Sequence, residues 1–540
     1  MSGSGRRSAV APDFDAIVVG AGFAGLYMLH RLRSMGLSVR VLEQGGGVGG
    51  TWYWNRYPGA RCDLDSVEYS YQFSDALQQE WRWSERFAAQ PEILRYLEHV
   101  MDRFDLRRDI RFGTTVTEAA FDEAAGCWRI ATGDGTRLSA TYCIMATGCL
   151  SVPNRPAFDG LDRFAGEWYH TGAWPHDVVS FTGKRVGIVG TGSSAVQAIP
   201  VIAAAARHLT VFQRQASYSI PARNAPLGEA EYAAIRERYG ELRRQARNTP
   251  SGCWWSANLV AAAEMSAEER ERELEARWRT GGLCFYGVFK DVLVNTEAND
   301  IAAEFLRGKI RAQVRVPEVA ALLTPRSVVG CKRICLDTDY FATFNRPNVT
   351  LVDVSAASIE EITHTGLRTG GDHYELDTIV FAIGFDAMTG PLLRIDIRGR
   401  GGQSLKAKWA DGPRTYLGLA IEGFPNLFTI TGPTSPSVLA SMVPAIEQHV
   451  EWIADCIAYA RAHARPRIEA TGEAEAEWIA HHDEEAGHTL FPACNSWYVG
   501  ANVDGKPRQV MPYTAGFSAY VEKCDAVAAN EYEGFSLSAA

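Results

Sequence analysis

Two glycine-rich hexapeptides, about 170 residues apart, carry the clearest chemical potential in this chain. Gly20-Ala-Gly22-Phe-Ala-Gly25 follows an apolar run, opens a helical pattern, and is followed 18 residues after Gly25 by an acid, Glu43. Gly190-Thr191-Gly192-Ser193-Ser194-Ala195 repeats the pattern, but a base, Arg214, stands 19 residues after Ala195. Such a turn presents backbone N–H groups at a helix N-terminus to a pyrophosphate. A carboxylate ending the next strand accepts from a free ribose 2′-OH, whereas a cation there suits a 2′-phosphate. The two copies imply one unphosphorylated dinucleotide, such as FAD, and separately NADPH. The chemistry expected is a flavin reduced by a nicotinamide.

The elements that must position these groups follow from the apolar periodicity. Residues 14–20 read as a strand, 25–35 as a helix and 37–43 as a returning strand. Residues 184–197 repeat strand, turn and helix, and 209–214 close the second unit. Residues 141–148 and 377–384 read as buried strands ending in glycine turns, and the prolines of 151–156 mark a crossover between domains. Residues 229–323 carry long charged helical patterns, one opening with the capping box Ser266-x-x-Glu269. The expected fold class is α/β, with two Rossmann-like dinucleotide-binding domains and a helical insertion. The expected boundaries are a tail at 1–12, an FAD-binding domain at 13–150 and 388–540, and an NADP-binding domain at 151–387 with the insertion at about 225–330.

Composition narrows the partners. A net charge of −10 excludes nucleic acid or an anionic membrane as the main partner. No apolar run is long enough to cross a bilayer, and Arg6-Arg7 lacks the apolar segment of an export signal. The eleven cysteines show no metal-binding spacing and read as reduced thiols in a cytoplasmic setting, with no metal site. The cluster Gly45–Gly50 precedes Thr51-Trp52-Tyr53-Trp54. It either walls a flat ligand or forms a loop packed by its own aromatics.

Just before the second glycine turn stands Phe164-Ala-Gly166-Glu-Trp-Tyr-His170-Thr-Gly-Ala-Trp174-Pro175. Here the chain resembles the type I Baeyer–Villiger monooxygenases, whose signature is FxGxxxHxxxW followed by Pro or Asp. The resemblance extends over about residues 14–536, and the stretches 52–63, 104–112, 412–419 and 432–442 are most similar to the phenylacetone and steroid monooxygenase subgroup. It implies oxidation of an aromatic, cyclic or steroid ketone to an ester or lactone by NADPH and O2. The route implied is a C4a-peroxyflavin, with water and NADP+ released.

The same resemblance assigns residues. Arg333 matches the catalytic arginine, whose permanent charge stabilises an oxyanion, and Asp63 matches the carboxylate that positions it. Arg214 and Lys332 match the groups that hold the 2′-phosphate, with Gln215 where relatives often carry Thr. Cofactor contacts are implied at Thr51, Trp52, Trp54, Tyr69 and Val116, and in the second unit at Thr191, Ser193, Ser194 and Gln197. Trp497 matches a residue near the nicotinamide, and Ser437, Leu439 and Met442 a substrate pocket. His170 is read as a hinge or hydrogen-bonding residue ahead of a direct base, and Ile383 departs from the family's usual Thr. The rival within flavin chemistry is an N-hydroxylating or sulfoxidising class B monooxygenase, which usually carries Phe or Tyr where Trp174 stands. A disulfide reductase would need a close Cys pair after the first turn, where only Cys62 lies; a flavin-binding sensor would not turn over. The partners expected are a small ketone and O2, with the chain a monomer or weak oligomer.

Overall fold

Each glycine turn grows from a strand so apolar that only the middle of a sheet can accommodate it. A computed structural model describes residues 11–539, so most of the tail expected at 1–12 lies outside the described residues. Phe14–Val19 runs between Val39–Leu42 and Arg137–Met145, parallel to both, with Ala16, Ile17 and Val18 fully buried. Burying a Val or Ile side chain contributes about 1.5–3 kcal/mol, enough to hold this strand in one register. The sheet continues antiparallel through Cys127–Thr132 to Val116–Asp122. Late in the chain, Asp396–Arg398 and Leu427–Thr429 return to it.

The second sheet is parallel throughout. Its order is Val349–Asp353, His208–Gln213, Arg185–Val189, Thr378–Phe381 and Glu167–His170. In both sheets the strand preceding the glycine turn has one neighbour on each side, reached by crossovers in opposite directions. A crevice opens beyond the carboxyl end of such a strand, where ligands bind in open α/β sheets.

The two turns use the same bonds. The Gly20 N–H donates to Leu42 O at 2.9 Å and the Gly190 N–H to Phe212 O at 3.0 Å. Gly20 and Gly190 have φ of +105° and +112°, and an added Cβ would lie 2.5 Å from Ala146 O and 2.4 Å from Ala382 O. The following helices, Phe23–Ser34 and Ser193–Ala205, begin at Gly22 and Gly192 without a side-chain cap.

The helical stretch contains Glu229–Glu237, Tyr239–Arg247, Ala267–Thr280, Thr296–Gln313 and Pro317–Leu323. Its capping box forms both bonds, Ser266 N–H to Glu269 at 2.8 Å and Glu269 N–H to Ser266 at 3.2 Å. Tyr232, Trp278 and Phe285 join the cluster that also holds Trp83, Phe87 and Tyr96 of the first unit. Ile310 and Leu323 join the cluster under the second sheet. The stretch therefore braces both units. No helix among the described residues is long and apolar enough to cross a membrane.

Gly25 and Gly192 separate close approach from mere flexibility. A Cβ at Gly25 would lie 1.8 Å from Gly20 O, whereas one at Gly192 meets nothing within 4 Å. Chemical denaturation should show Gly25→Ala destabilised by about 3 kcal/mol or more. Gly192→Ala should stay within about 1 kcal/mol of the parent.

Candidate functional site

Arg333 reaches across from the second unit to a carboxylate on the first. Its Nε donates to Asp63 Oδ2 at 2.5 Å and its Nη2 to Oδ1 at 3.0 Å, while Nη1 donates to Val438 O at 2.8 Å. Burial opposes the charge, but the Asp63 carboxylate outweighs it and raises the guanidinium above its usual value. The result is a cation that stays charged at any working pH, held in a plane by one fork and a third bond. Ile334 N–H donates to the Tyr286 hydroxyl at 2.9 Å, so the helical stretch fixes the backbone next to the arginine.

The segment bonded to Arg333 also carries the expected substrate residues. Val438 lies between Ser437 and Leu439, and Leu439, Met442 and Trp497 pack against one cluster formed by Val438, Cys149, Met388 and Tyr498. Ser437 is fully buried, with its hydroxyl 3.7 Å from Met388 Sδ. These groups thus converge beside the guanidinium.

On the first turn, Glu43 is nearly buried and both oxygens are engaged. Oε2 accepts from Ala21 N–H and Oε1 from Gly45 N–H, each at 2.6 Å. Burial raises its pKa while the two backbone bonds oppose the rise. The second glycine cluster is folded onto this turn: Gly49 N–H donates to Ala21 O at 3.1 Å, and the Tyr53 hydroxyl accepts from Gly46 N–H at 2.9 Å. Behind it, Trp52 is buried and its indole N–H donates to the Tyr69 hydroxyl at 3.2 Å, whereas Thr51 is exposed and Trp54 half-buried. Val116 sits apart in its strand, two residues beyond Thr114, whose N–H donates to Glu43 O at 2.8 Å.

On the second turn, Thr191 donates to Gln215 O at 2.6 Å and Lys332 donates to Gln215 Oε1 at 2.8 Å. Arg214 is exposed beside them, and burial together with its charge lowers the Lys332 pKa. Ser193 is exposed and Ser194 half-buried at the uncapped helix start. Gln197 looks the other way: it accepts from the Tyr57 hydroxyl at 2.8 Å and donates to Arg61 O at 3.1 Å, joining the units. The crevices fit two dinucleotides: uncapped N–H groups follow glycines that admit no side chain at Gly20 and Gly190, with an acceptor in one and a pair of cations in the other.

The signature forms the edge strand Glu167–His170 and the turn after it. Phe164 packs with Phe381 and Leu367, a Cβ on Gly166 would meet Asp377 O at 2.4 Å, and the backbone N–H of the buried Trp174 donates to Trp54 O at 3.2 Å. His170 Nδ1 accepts from Gly172 N–H at 2.9 Å, and burial lowers its pKa to about 4. That bond gives His170 a backbone-holding role.

The family model for pyridine nucleotide-disulphide oxidoreductases matches residues 17–232. A solved steroid monooxygenase bound to NADP is 53% identical, with a TM-score of 0.94, covering 98% of this chain and 100% of that one. A Baeyer–Villiger monooxygenase of Pseudooceanicola batsensis is 43% identical over 98% of this chain and 96% of its own. The chain belongs to the Baeyer–Villiger monooxygenase family. The family expectation thereby holds. The phenazine N-monooxygenase PhzNO1 of Lysobacter antibioticus is also 43% identical, over 97% of both chains.

One expectation is corrected in this Baeyer–Villiger family member. Nine cysteines are unpaired and buried, but Cys331 and Cys494 form a disulfide, so the thiols are not all reduced. Their sequence separation of 163 left no spacing to recognise. Cys62 has no partner, and burial pushes its thiol well above the usual range, which leaves a disulfide reductase without its nucleophile. Sequence reasoning also missed Tyr286 and Val438. A tyrosine in a charged helical stretch gives no signal, and Val438 acts through its carbonyl.

The His170 environment yields a test. Its pKa falls from 6.5 to about 4 on folding, so the unfolded chain binds this proton first and stability is lost as pH drops through that window. In His170→Asn, unfolding free energy measured by denaturant titration should depend less on pH there, by up to about 1.4 kcal/mol per unit.

Proposed function

We propose that this protein is an FAD-dependent monooxygenase that converts a ketone, O2, NADPH and a proton into an ester or lactone, NADP+ and water. The observation that carries this reading is the forked Arg333–Asp63 pair beside the apolar Val438–Met442 wall. FAD, when bound, supplies electron relay and oxygen activation. The chain's own contribution is binding, orientation and charge. Arg333 holds a fixed positive charge where a carbonyl oxygen gains negative charge, and Asp63 holds that guanidinium flat. Arg214 and Lys332 hold the 2′-phosphate of NADPH, and Glu43 accepts from the FAD ribose while bracing the first turn. Trp497, Leu439 and Met442 exclude water from the carbonyl. Residues 13–150 with 388–540 form the FAD unit and 151–387 the NADP unit. The need for NADPH supports a cytoplasmic setting, and the chain works as a monomer or weak oligomer.

N-oxygenation of an aromatic heterocycle is a second reading, favoured by the likeness to PhzNO1. Against it stands Trp174, with the steroid monooxygenase likeness at 53%. Product mass and retention from parallel incubations with phenyl, cyclic and steroidal ketones and with phenazines separate ester from N-oxide.

Two variants test the assignments. Arg333→Ala should lower ester formation by two to three decades, about 3–4 kcal/mol of barrier. Stopped-flow absorbance should still show the flavin reduced by NADPH. Arg214→Ala should raise the KM for NADPH by about tenfold or more, the worth of a charged hydrogen bond. The KM for NADH should barely move.

A further inference from the structure

Several hydrogen-bonding groups hold the loop that carries the catalytic arginine, Gln215 through Lys332 among them, and one further tie is covalent. Asn299 donates to Val329 O and accepts from its N–H, both at 2.9 Å, and Tyr286 accepts from Ile334. Asp63 and the Val438 carbonyl hold Arg333 itself. The covalent tie is the disulfide from Cys331, two residues before Arg333, to Cys494, three before Trp497, with Cα atoms 5.4 Å apart. It ties the arginine loop to the C-terminal segment that packs against the same apolar cluster as Val438. The other ties are non-covalent, and the side chains of Arg333 and Asp63 remain 22% and 20% exposed, so that solvent competes for them. A covalent tether keeps the loop at high effective concentration against its partners when those bonds open.

We propose that Cys331–Cys494 is a redox-modification site that positions Arg333, its oxidation state setting how many NADPH electrons end in ester and how many in hydrogen peroxide. The inference rests on the monooxygenase reading. With the arginine in place, one oxygen atom of O2 enters the ketone and the other leaves as water. With the loop released, the charge needed at the carbonyl is misplaced and the competing reaction takes over: NADPH, a proton and O2 give NADP+ and hydrogen peroxide. A dithiol carries out the release in two exchanges. One thiolate attacks a disulfide sulfur to give a mixed disulfide; the second displaces the remaining cysteine thiolate. The reductant leaves as a cyclic disulfide, and Cys331 and Cys494 each gain a proton. Air or a disulfide oxidant reverses the exchange by taking back two electrons and two protons. Both cysteines are only 6% exposed, so exchange awaits opening of the loop and a small reductant suits the site.

The test uses FAD-loaded full-length enzyme purified without reductant. Thiol titration after denaturation should count nine thiols, because the other cysteines are unpaired. After dithiothreitol treatment and its removal under argon the count should rise to eleven, the full cysteine content. Peptides spanning residues 326–335 should then exchange backbone hydrogens faster. The ratio of ester to NADPH consumed should fall by about tenfold, since misplacing a reacting group by ~1 Å costs up to about 10²-fold. Hydrogen peroxide should rise to match, while flavin reduction by NADPH changes by less than about twofold. The Cys331→Ser/Cys494→Ser double variant should behave as the reduced enzyme; should it not fold, the dithiothreitol-treated parent alone decides. Eleven thiols in the untreated enzyme would overturn the proposal, as would unchanged exchange and coupling after reduction. If the untreated enzyme makes no ester from any ketone, the monooxygenase reading fails instead, and thiol count and exchange still report on the tether.

Discussion

The site depends on one half-buried ion pair that neither half of the chain can satisfy alone. Asp63 belongs to the loop after the first glycine turn and Arg333 to a loop 270 residues later. Taking a guanidinium from water is costly, and leaving one partner of such a pair unmatched costs more than the pair contributes. The low-energy arrangement is therefore the one with both loops in contact. Two parallel N–H···O bonds fix the plane of the guanidinium, and Val438 O takes a third donor, so orientation follows from pairing. A lysine would keep the charge and lose the plane.

The two nucleotide units solve one backbone problem twice and differ in how they treat charge. Each first strand ends in a glycine whose N–H bonds the neighbouring strand, and whose missing Cβ lets a third strand's carbonyl approach. Beyond that, the units diverge. Glu43 is a buried carboxylate held by two backbone donors, a preorganised acceptor. Arg214 faces solvent and sits close enough to Lys332 to lower its pKa. Two cations left together repel, and an anion between them removes that penalty.

What could be read from the residues was what local geometry dictates. The glycine turns, their strands and the Ser266 capping box appear because backbone sterics and N–H satisfaction act over a few residues. The acid and base at positions 43 and 214 were legible for the same reason. The site around Arg333 was legible only by resemblance, because its contacts join residues more than a hundred positions apart. The bracing by the helical stretch, the Tyr286 contact and the disulfide were not legible at all. Trp278 and Phe285 lie in a charged helical pattern, and nothing in its periodicity says which of two cores receives them.

Consecutive residues of the arginine loop point to opposite units. Lys332 bonds Gln215 at the end of the second unit's strand, while Arg333 bonds Asp63 on the first. The peptide between them is planar, so one short stretch of backbone carries both side chains. Lys332 and Arg333 thus form a single unit between the two folds. Tyr286 and Asn299 hold that unit from the helical stretch, whose own core contacts span both sheets. The placement of the guanidinium is in this way a property of the contact between the units, because Arg333 stands on one and its carboxylate partner on the other.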